Sequence, residues 1–369
     1  MTSFDAIVVG LGAMGSAAAL HLARRGAKVL GLEQFTLAHD RGSSHGESRL
    51  IRKAYFESPA YVPLLERAYT LWDELADLAG SPLLHRTGLL LVGREDARGA
   101  TERARAVAEQ YAITVESLDV EEARTRFPQL VIGATDILLW EPGAGYLEVE
   151  RCVEAQALAA EHAGARLAFG ERVLALEQQG TTARVVTTRG SYAAGKLIVT
   201  AGPWATKLLG ALGLPLRVHR VVQSWYTAPT AYEASAGMPC FAYDTEQGFF
   251  YGFPRRGGEI KLAEHAADDE VDADTVDRTV READSARTAA FAARSLRGVG
   301  AAATRAKVCL YTMTPDEHFI VDRHEHLVYA AGFSGHGFKF APVIGESLAE
   351  LALTDGTTLD LAFLRRRDR

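Results

Sequence analysis

The chain has 369 residues, enough for two domains or one large interrupted one, and its 48% hydrophobic content supports a full core. A formal net charge of −7, with no long basic run before the terminal LRRRDR, excludes a nucleic-acid surface. No apolar stretch approaches the ~20 residues of a membrane span, and three scattered cysteines, Cys152, Cys240 and Cys309, are too few for a disulfide framework or a zinc site. The expectations are therefore a cytoplasmic protein with no membrane, nucleic-acid or metal partner; the apolar N-terminal run lacks the basic flank and cleavage site of a signal peptide.

Residues 6–9 form an apolar run of the kind that makes a buried parallel strand. Gly10, Gly12 and Gly15 follow as G-x-G-x-x-G, then a helical stretch over 17–25 and a second apolar strand ending at Glu33. Each part has a physical purpose. Gly10 permits a tight turn, Gly12 lets the backbone approach a pyrophosphate, and Gly15 lets helix pack on strand. The helix N-terminus attracts the phosphates. An acid about 20 residues past the glycines accepts from ribose hydroxyls, and here it argues against a 2′-phosphate. The unit predicts a dinucleotide site without separating NAD from FAD.

Helices are predicted over 61–80, 101–111, 120–128 (stopped by Pro128) and 147–165. Cys152 falls on the apolar face of the last of these, as a packing residue. The α/β pattern resumes with strands near 171–200, a small-residue turn at Gly202 and a helix over 205–213. A long strand near 216–229 follows, then a hairpin about 254–258, a helix over 272–296, two strands near 316–332, a glycine-rich loop and a final helix. The fold class read from this order is α/β (α+β), a Rossmann-type nucleotide domain interleaved with an antiparallel-sheet substrate domain. The boundaries are 1–83, 140–213 and 307–369 for the former, 84–139 and 214–306 for the latter. The loops at Gly10, Gly202 and Gly332 all follow strands, so they can converge on one extended cofactor.

Between about residues 4 and 360 the sequence resembles monomeric sarcosine oxidase and N-methyltryptophan oxidase, within the D-amino-acid-oxidase-like flavoenzymes. The motifs that carry the resemblance are GLGAMG, GSSHGESRLIRKAY, KLIVTAGPW, YGFP, KVCLYT-x-TPDEHFIVD and AAGFSGHGFKF. It implies FAD, bound covalently through a thioether from Cys309, with Ser43, Val173 and Gly337 joining the glycines and Glu33 at the cofactor. It implies His45 and Arg49 as basic residues near the ring, and a nearby cation would favour the thiolate that flavinylation needs. Arg52 and Lys339 match the family's clamp on the substrate carboxylate, a task suited to a bidentate guanidinium and an ammonium. Lys339 is expected at the start of the last helix, where the dipole also favours negative charge. Arg49 and Arg52 stand three apart, on one side if that segment is helical. Lys261 matches the lysine that activates oxygen, where a fixed positive charge favours superoxide. His265 matches a histidine near the substrate amine, and Tyr251, Tyr311 and Gly335 line the cavity.

Taken alone, several of these residues have plainer readings: a surface-strand lysine, a hairpin histidine, core aromatics, a small buried cysteine. The sequence departs from the family at Ser44, Glu47 and Ala341–Pro342, and is one residue shorter between YGFP and Lys261. The implied activity is oxidation of a small N-methyl or cyclic secondary amino acid, with imine hydrolysis and O2 reduced to H2O2 by a monomer. Sarcosine, N-methyl aromatic amino acids, proline and pipecolate are all compatible. The rival readings are an FAD dehydrogenase that uses a protein or quinone acceptor, an NAD-linked dehydrogenase, and a non-catalytic flavin redox sensor.

Overall fold

The computed structural model describes residues 3–94, 99–179, 182–266 and 269–366. The first apolar run forms the strand Ser3–Val9. It is central because parallel partners cover both its edges, Val29–Leu32 on one side and Gly190–Val199 on the other. Arg166–Ala168 extends the sheet beyond Val29–Leu32, and Leu327–Ala331 adds a parallel strand beside Gly190–Val199. An antiparallel hairpin, Val173–Gln179 with Thr182–Thr187, and the strand Ile320–His324 complete eight strands. The sheet thus collects segments from the start, middle and end of the chain. On one face Ala6, Val8, Ile198 and Val328 pack with Leu20, Val153, Ile344 and Leu348 of the helices Ala13–Arg24, Val149–His162 and Ala341–Thr354.

A second, nine-stranded sheet is antiparallel except where Cys240–Thr245 runs parallel to Leu89–Gly93. The long strand Arg217–Thr227 sits between Glu259–Glu264 and Arg305–Met313. One face of this sheet presents Tyr226, Phe250, Ile260 and Leu262 to Phe291 of the helix Ala286–Ser295. The other face follows from register. Lys261 lies opposite Trp225, Cys309 opposite Val221, Tyr311 opposite His219 and Tyr251 opposite Ala263. Opposed residues share a face and faces alternate every residue, so all four side chains leave the sheet on the same side.

Three local expectations change. Residues 48–51 form a strand, Ser48–Ile51, paired with Gly145–Glu148, not a helix. Arg49 and Arg52, three apart, therefore project to different sides. The helix expected over 272–296 is confined to Ala286–Ser295, preceded by a short 3-10 turn. Upstream, the Asp272 and Asp277 carboxylates accept from the N–H groups of Asp274 and Thr279, local turns that compete with a helix. Arg220 also donates to the carbonyls of Asp277 and Thr279. Finally, the helix after Gly202 is only Ala205–Leu208.

Candidate active site

A cleft of about 390 Å³ runs along the C-terminal ends of the parallel strands, lined by Gly10, Gly12, Glu33, Ser43, Arg49, Val173, Gly202, Tyr311, Gly335 and Gly337, among others. Gly15 lies behind it. A Cβ there would sit 1.7 Å from the Gly10 carbonyl oxygen, so the tight strand–helix approach requires glycine. The buried Glu33 carboxylate accepts from Leu11 N at 2.9 Å and Phe35 N at 3.1 Å, which ties the glycine loop to the end of the second strand. Gly335, at φ +77°, presses on Tyr311: a Cβ would fall 2.4 Å from its ring.

At one end of the cleft stands a cationic group built around the sheet face described above. Cys309 Sγ is buried, adjacent to the lining residues Ser43 and Arg49. Arg49 Nη2 lies 3.6 Å from that sulfur and donates to Ser43 O at 3.0 Å; Nη1 reaches Gln223 Oε1 at 3.4 Å. Lys261 is buried beneath them, its ammonium donating to the carbonyls of Gly46 and Ser48, each at 2.7 Å, and facing the rings of Phe253 and Trp225. Burial, then the charge of Arg49, pushes its pKa well below the usual lysine range. His45 is fully enclosed, and neither ring nitrogen has a hydrogen-bond partner. Burial and the charge of Arg49 push it down to about 2, so the ring is neutral.

Arg52 and Lys339 form a second, separate group. Arg52 is buried between the rings of Tyr55 and Phe56 and donates to both carboxylate oxygens of Glu57 at 2.7 Å. Burial alone would push Glu57 up, but Arg52, His336 and Lys339 bring it down to about 2. Lys339 is not a solvated lysine. It is buried in a 3-10 turn, Phe338–Phe340, one step before the last helix. Its ammonium donates to His336 O at 2.7 Å and approaches Tyr55 Oη at 3.5 Å. Burial and the neighbouring Arg52 lower its pKa to about 7.

His265 follows Lys261's strand and bears on Tyr311, with Nδ1 3.5 Å from the hydroxyl. Both line a second cavity of about 650 Å³ with Glu264, Arg287 and His219. Tyr311 therefore borders both cavities. Tyr251 sits beside it, and burial raises the pKa of both hydroxyls. Sequence reasoning missed Glu57, Tyr55 and His336. An acid five residues after Arg52 in RLIRKAYFES was the available signal for the first; SGHG offered one for the last.

The residues along the cleft fit FAD. The Rossmann cradle closes on glycine, an acid ends the second strand, and a cation touches the thiol.

Comparisons with known proteins agree. A family model described as FAD dependent oxidoreductase (DAO) matches residues 5–351. The chain is 40% identical to a monomeric sarcosine oxidase of Streptomyces avermitilis, covering 96% of this chain and 95% of that one. It is 34% identical to N-methyl-L-tryptophan oxidase of Salmonella dublin, covering 98% of each. Among solved structures, the amino acid oxidase NikD of nikkomycin biosynthesis, in its open form, superposes with a TM-score of 0.87 at 26% identity, covering 100% of this chain and 98% of that one. The fold is shared also with glycine oxidase from Geobacillus kaustophilus, at a TM-score of 0.85 and 22% identity over the full length of both chains. Among the described residues no helix is long and apolar enough to cross a membrane, and no cluster suits a metal ion. The protein belongs to the FAD-dependent oxidoreductase (DAO) family, among the relatives of monomeric sarcosine oxidase and N-methyl-L-tryptophan oxidase.

Proposed function

We propose that the protein is an oxidase of small N-methyl or secondary amino acids, with FAD linked covalently to Cys309 and oxygen as acceptor. The observation that carries the substrate class is the pair of the buried Arg52 and the half-buried Glu57 beside the buried Lys339: two cations and one carboxylate in one site. A substrate carboxylate supplies the second anion this group lacks and competes with Glu57 for the guanidinium. The relatives named for sarcosine and N-methyl-L-tryptophan point the same way.

FAD, when bound, accepts two electrons from the substrate's C–H bond and returns them to oxygen. The residues supply position and charge. Gly10, Gly12, Glu33, Ser43, Val173, Gly202 and Gly337 would hold the cofactor, and Arg49 would assist the Cys309 thiolate. Arg52 and Lys339 would fix the carboxylate, while Tyr251, Tyr311, Gly335 and His265 shape the space around the amine. Lys261 would place a positive charge where oxygen is reduced. Water then hydrolyses the released imine; for sarcosine the products are glycine and formaldehyde. A monomer in a reducing cytoplasm accords with three unpaired cysteines.

The test is anaerobic addition of an amine panel (sarcosine, N-methyl aromatic amino acids, proline, pipecolate) followed by air. Bleaching of the flavin by a secondary amino acid, with peroxide on reoxidation, supports the reading. Bleaching without peroxide points to a dehydrogenase, and no bleaching by any amine overturns it.

A further inference from the structure

The hydrogen bonds around His336 admit one assignment. Its Nε2 lies 2.9 Å from the carbonyl oxygen of Glu317, which can only accept, so Nε2 carries a proton. The ring is buried against Phe319, Tyr61 and Tyr55. Burial and the charge of Lys339 lower its pKa to about 3, which leaves the imidazole neutral. Nδ1 is then a bare acceptor, and the Tyr55 hydroxyl, 2.5 Å away, must donate to it. That uses the only proton Tyr55 has. Its oxygen lone pairs are left for the Lys339 ammonium at 3.5 Å, while a second ammonium proton goes to the His336 carbonyl at 2.7 Å. The opposite tautomer would turn the Tyr55 proton toward an ammonium that has only donors.

We propose that His336 is a positioning residue: by anchoring Nε2–H on Glu317 it fixes the Tyr55 hydroxyl as an acceptor for Lys339, and so aims the one remaining ammonium proton at an incoming carboxylate. The last clause rests on the substrate reading above; the tautomer does not. The groups facing this relay are Arg52, Glu57 and Tyr55 after the strand Ser48–Ile51, Tyr61 at the start of the following helix, Asp316 and His318 in the loop before Phe319, and His265.

The holoprotein labelled with 15N-histidine tests the tautomer directly by NMR, without any substitution. The expected spectrum of His336 has a protonated Nε2 and a bare Nδ1; a proton on Nδ1 overturns the proposal. The relay is tested by titrating acetate against flavin absorbance from pH 5 to 9, with the Lys339 Cε resonance followed in parallel. His336→Gln keeps a donor for Glu317 but removes the acceptor for Tyr55. It should lower the Lys339 midpoint by about one pH unit, as expected when an ammonium loses one accepting neighbour. His336→Asn places an amide oxygen near the Nδ1 position and should restore the wild-type midpoint. Tyr55→Phe should reproduce the Gln shift, and the Tyr55→Phe/His336→Gln pair should add nothing further. Identical midpoints in all proteins, or additive shifts in the pair, overturn the relay. If acetate perturbs no flavin spectrum while the Lys339 resonance shifts as described, the substrate reading fails and the relay stands.

Discussion

Among the described residues two lysines, Lys261 and Lys339, are buried, and they are held in different ways. Lys261 donates to the backbone carbonyls of Gly46 and Ser48, which neither ionise nor swing. Their turn is pinned in its own right: Gly46 and Glu47 are both left-handed, at φ +91° and +69°, and the Glu150 carboxylate accepts from both their N–H groups. Lys339 donates to a single backbone carbonyl, that of His336, and otherwise has Tyr55, Arg52 and Glu57 for neighbours, side chains that can exchange partners. Fixed dipoles suit a charge needed in every turnover without ever touching the substrate. Exchangeable partners suit a charge that must take and release a ligand. Burial alone does not distinguish these uses; the kind of partner does.

The comparison can be broken at several points. The largest effect is expected at the sulfur beside the Lys261 group. Wild-type protein should keep its yellow colour on the polypeptide after acid denaturation, and Cys309→Ser should release all of it; release from the wild type would remove the covalent assignment. Next, Lys261→Met should slow flavin reoxidation by oxygen about a hundredfold or more, since a preorganised charge of this kind is worth about 3 kcal/mol. Reduction by substrate should change far less, and stopped-flow measurement of the two half-reactions would separate them. Equal losses in both would mean that the two lysines do one job.

In the other group, Arg52→Ala should weaken carboxylate ligands by about 1.5–3 kcal/mol, the worth of a hydrogen bond to a charged group. Amines without a carboxylate should bind as before. Glu57→Gln should have the opposite sign and tighten acetate, because the resident competitor loses its charge; weaker binding would show that Glu57 holds the site open rather than filling it. The smallest effect is the pH dependence. With Lys339 lowered to about 7, carboxylate affinity should be flat below that pH, where the ammonium is present. It should decline above, by at most about tenfold per unit as one proton is lost. An inflection near 10 instead would return Lys339 to the ordinary range.

Much of the frame was legible because it rests on periodicity and glycine. The first strand, Gly15 and Glu33 needed only hydrophobic runs and a fixed spacing, and Lys261, Cys309 and Lys339 were found through motifs. The Arg49–Arg52 geometry stays open in the sequence, since a four-residue strand such as SRLI has too little pattern to be told from helix. The 272–296 segment carried helical spacing, but its aspartates bind their own backbone. Glu57 and His336 each carried a local cue, an acid five residues after Arg52 and a histidine in SGHG, but neither cue says what the residue meets. Glu57 matters because Arg52 meets it in space, and His336 because Glu317, itself at φ +60°, turns a carbonyl toward it. No local signal records such meetings.

The long strand Arg217–Thr227 bears neither Cys309 nor Lys261, yet its backbone ladder sets where both stand, pairing Val221 with the one and Trp225 with the other. The turn at Pro254–Gly258 lies outside that ladder. Residues can be gained or lost there without displacing Lys261, because its placement is inherited from the neighbouring strand and not counted along its own. The single-residue shortening between YGFP and Lys261 is a change of this permitted kind. Homologues should therefore vary freely in the length of this turn, whereas an insertion within Arg217–Thr227 would shift Lys261 and Cys309 relative to one another.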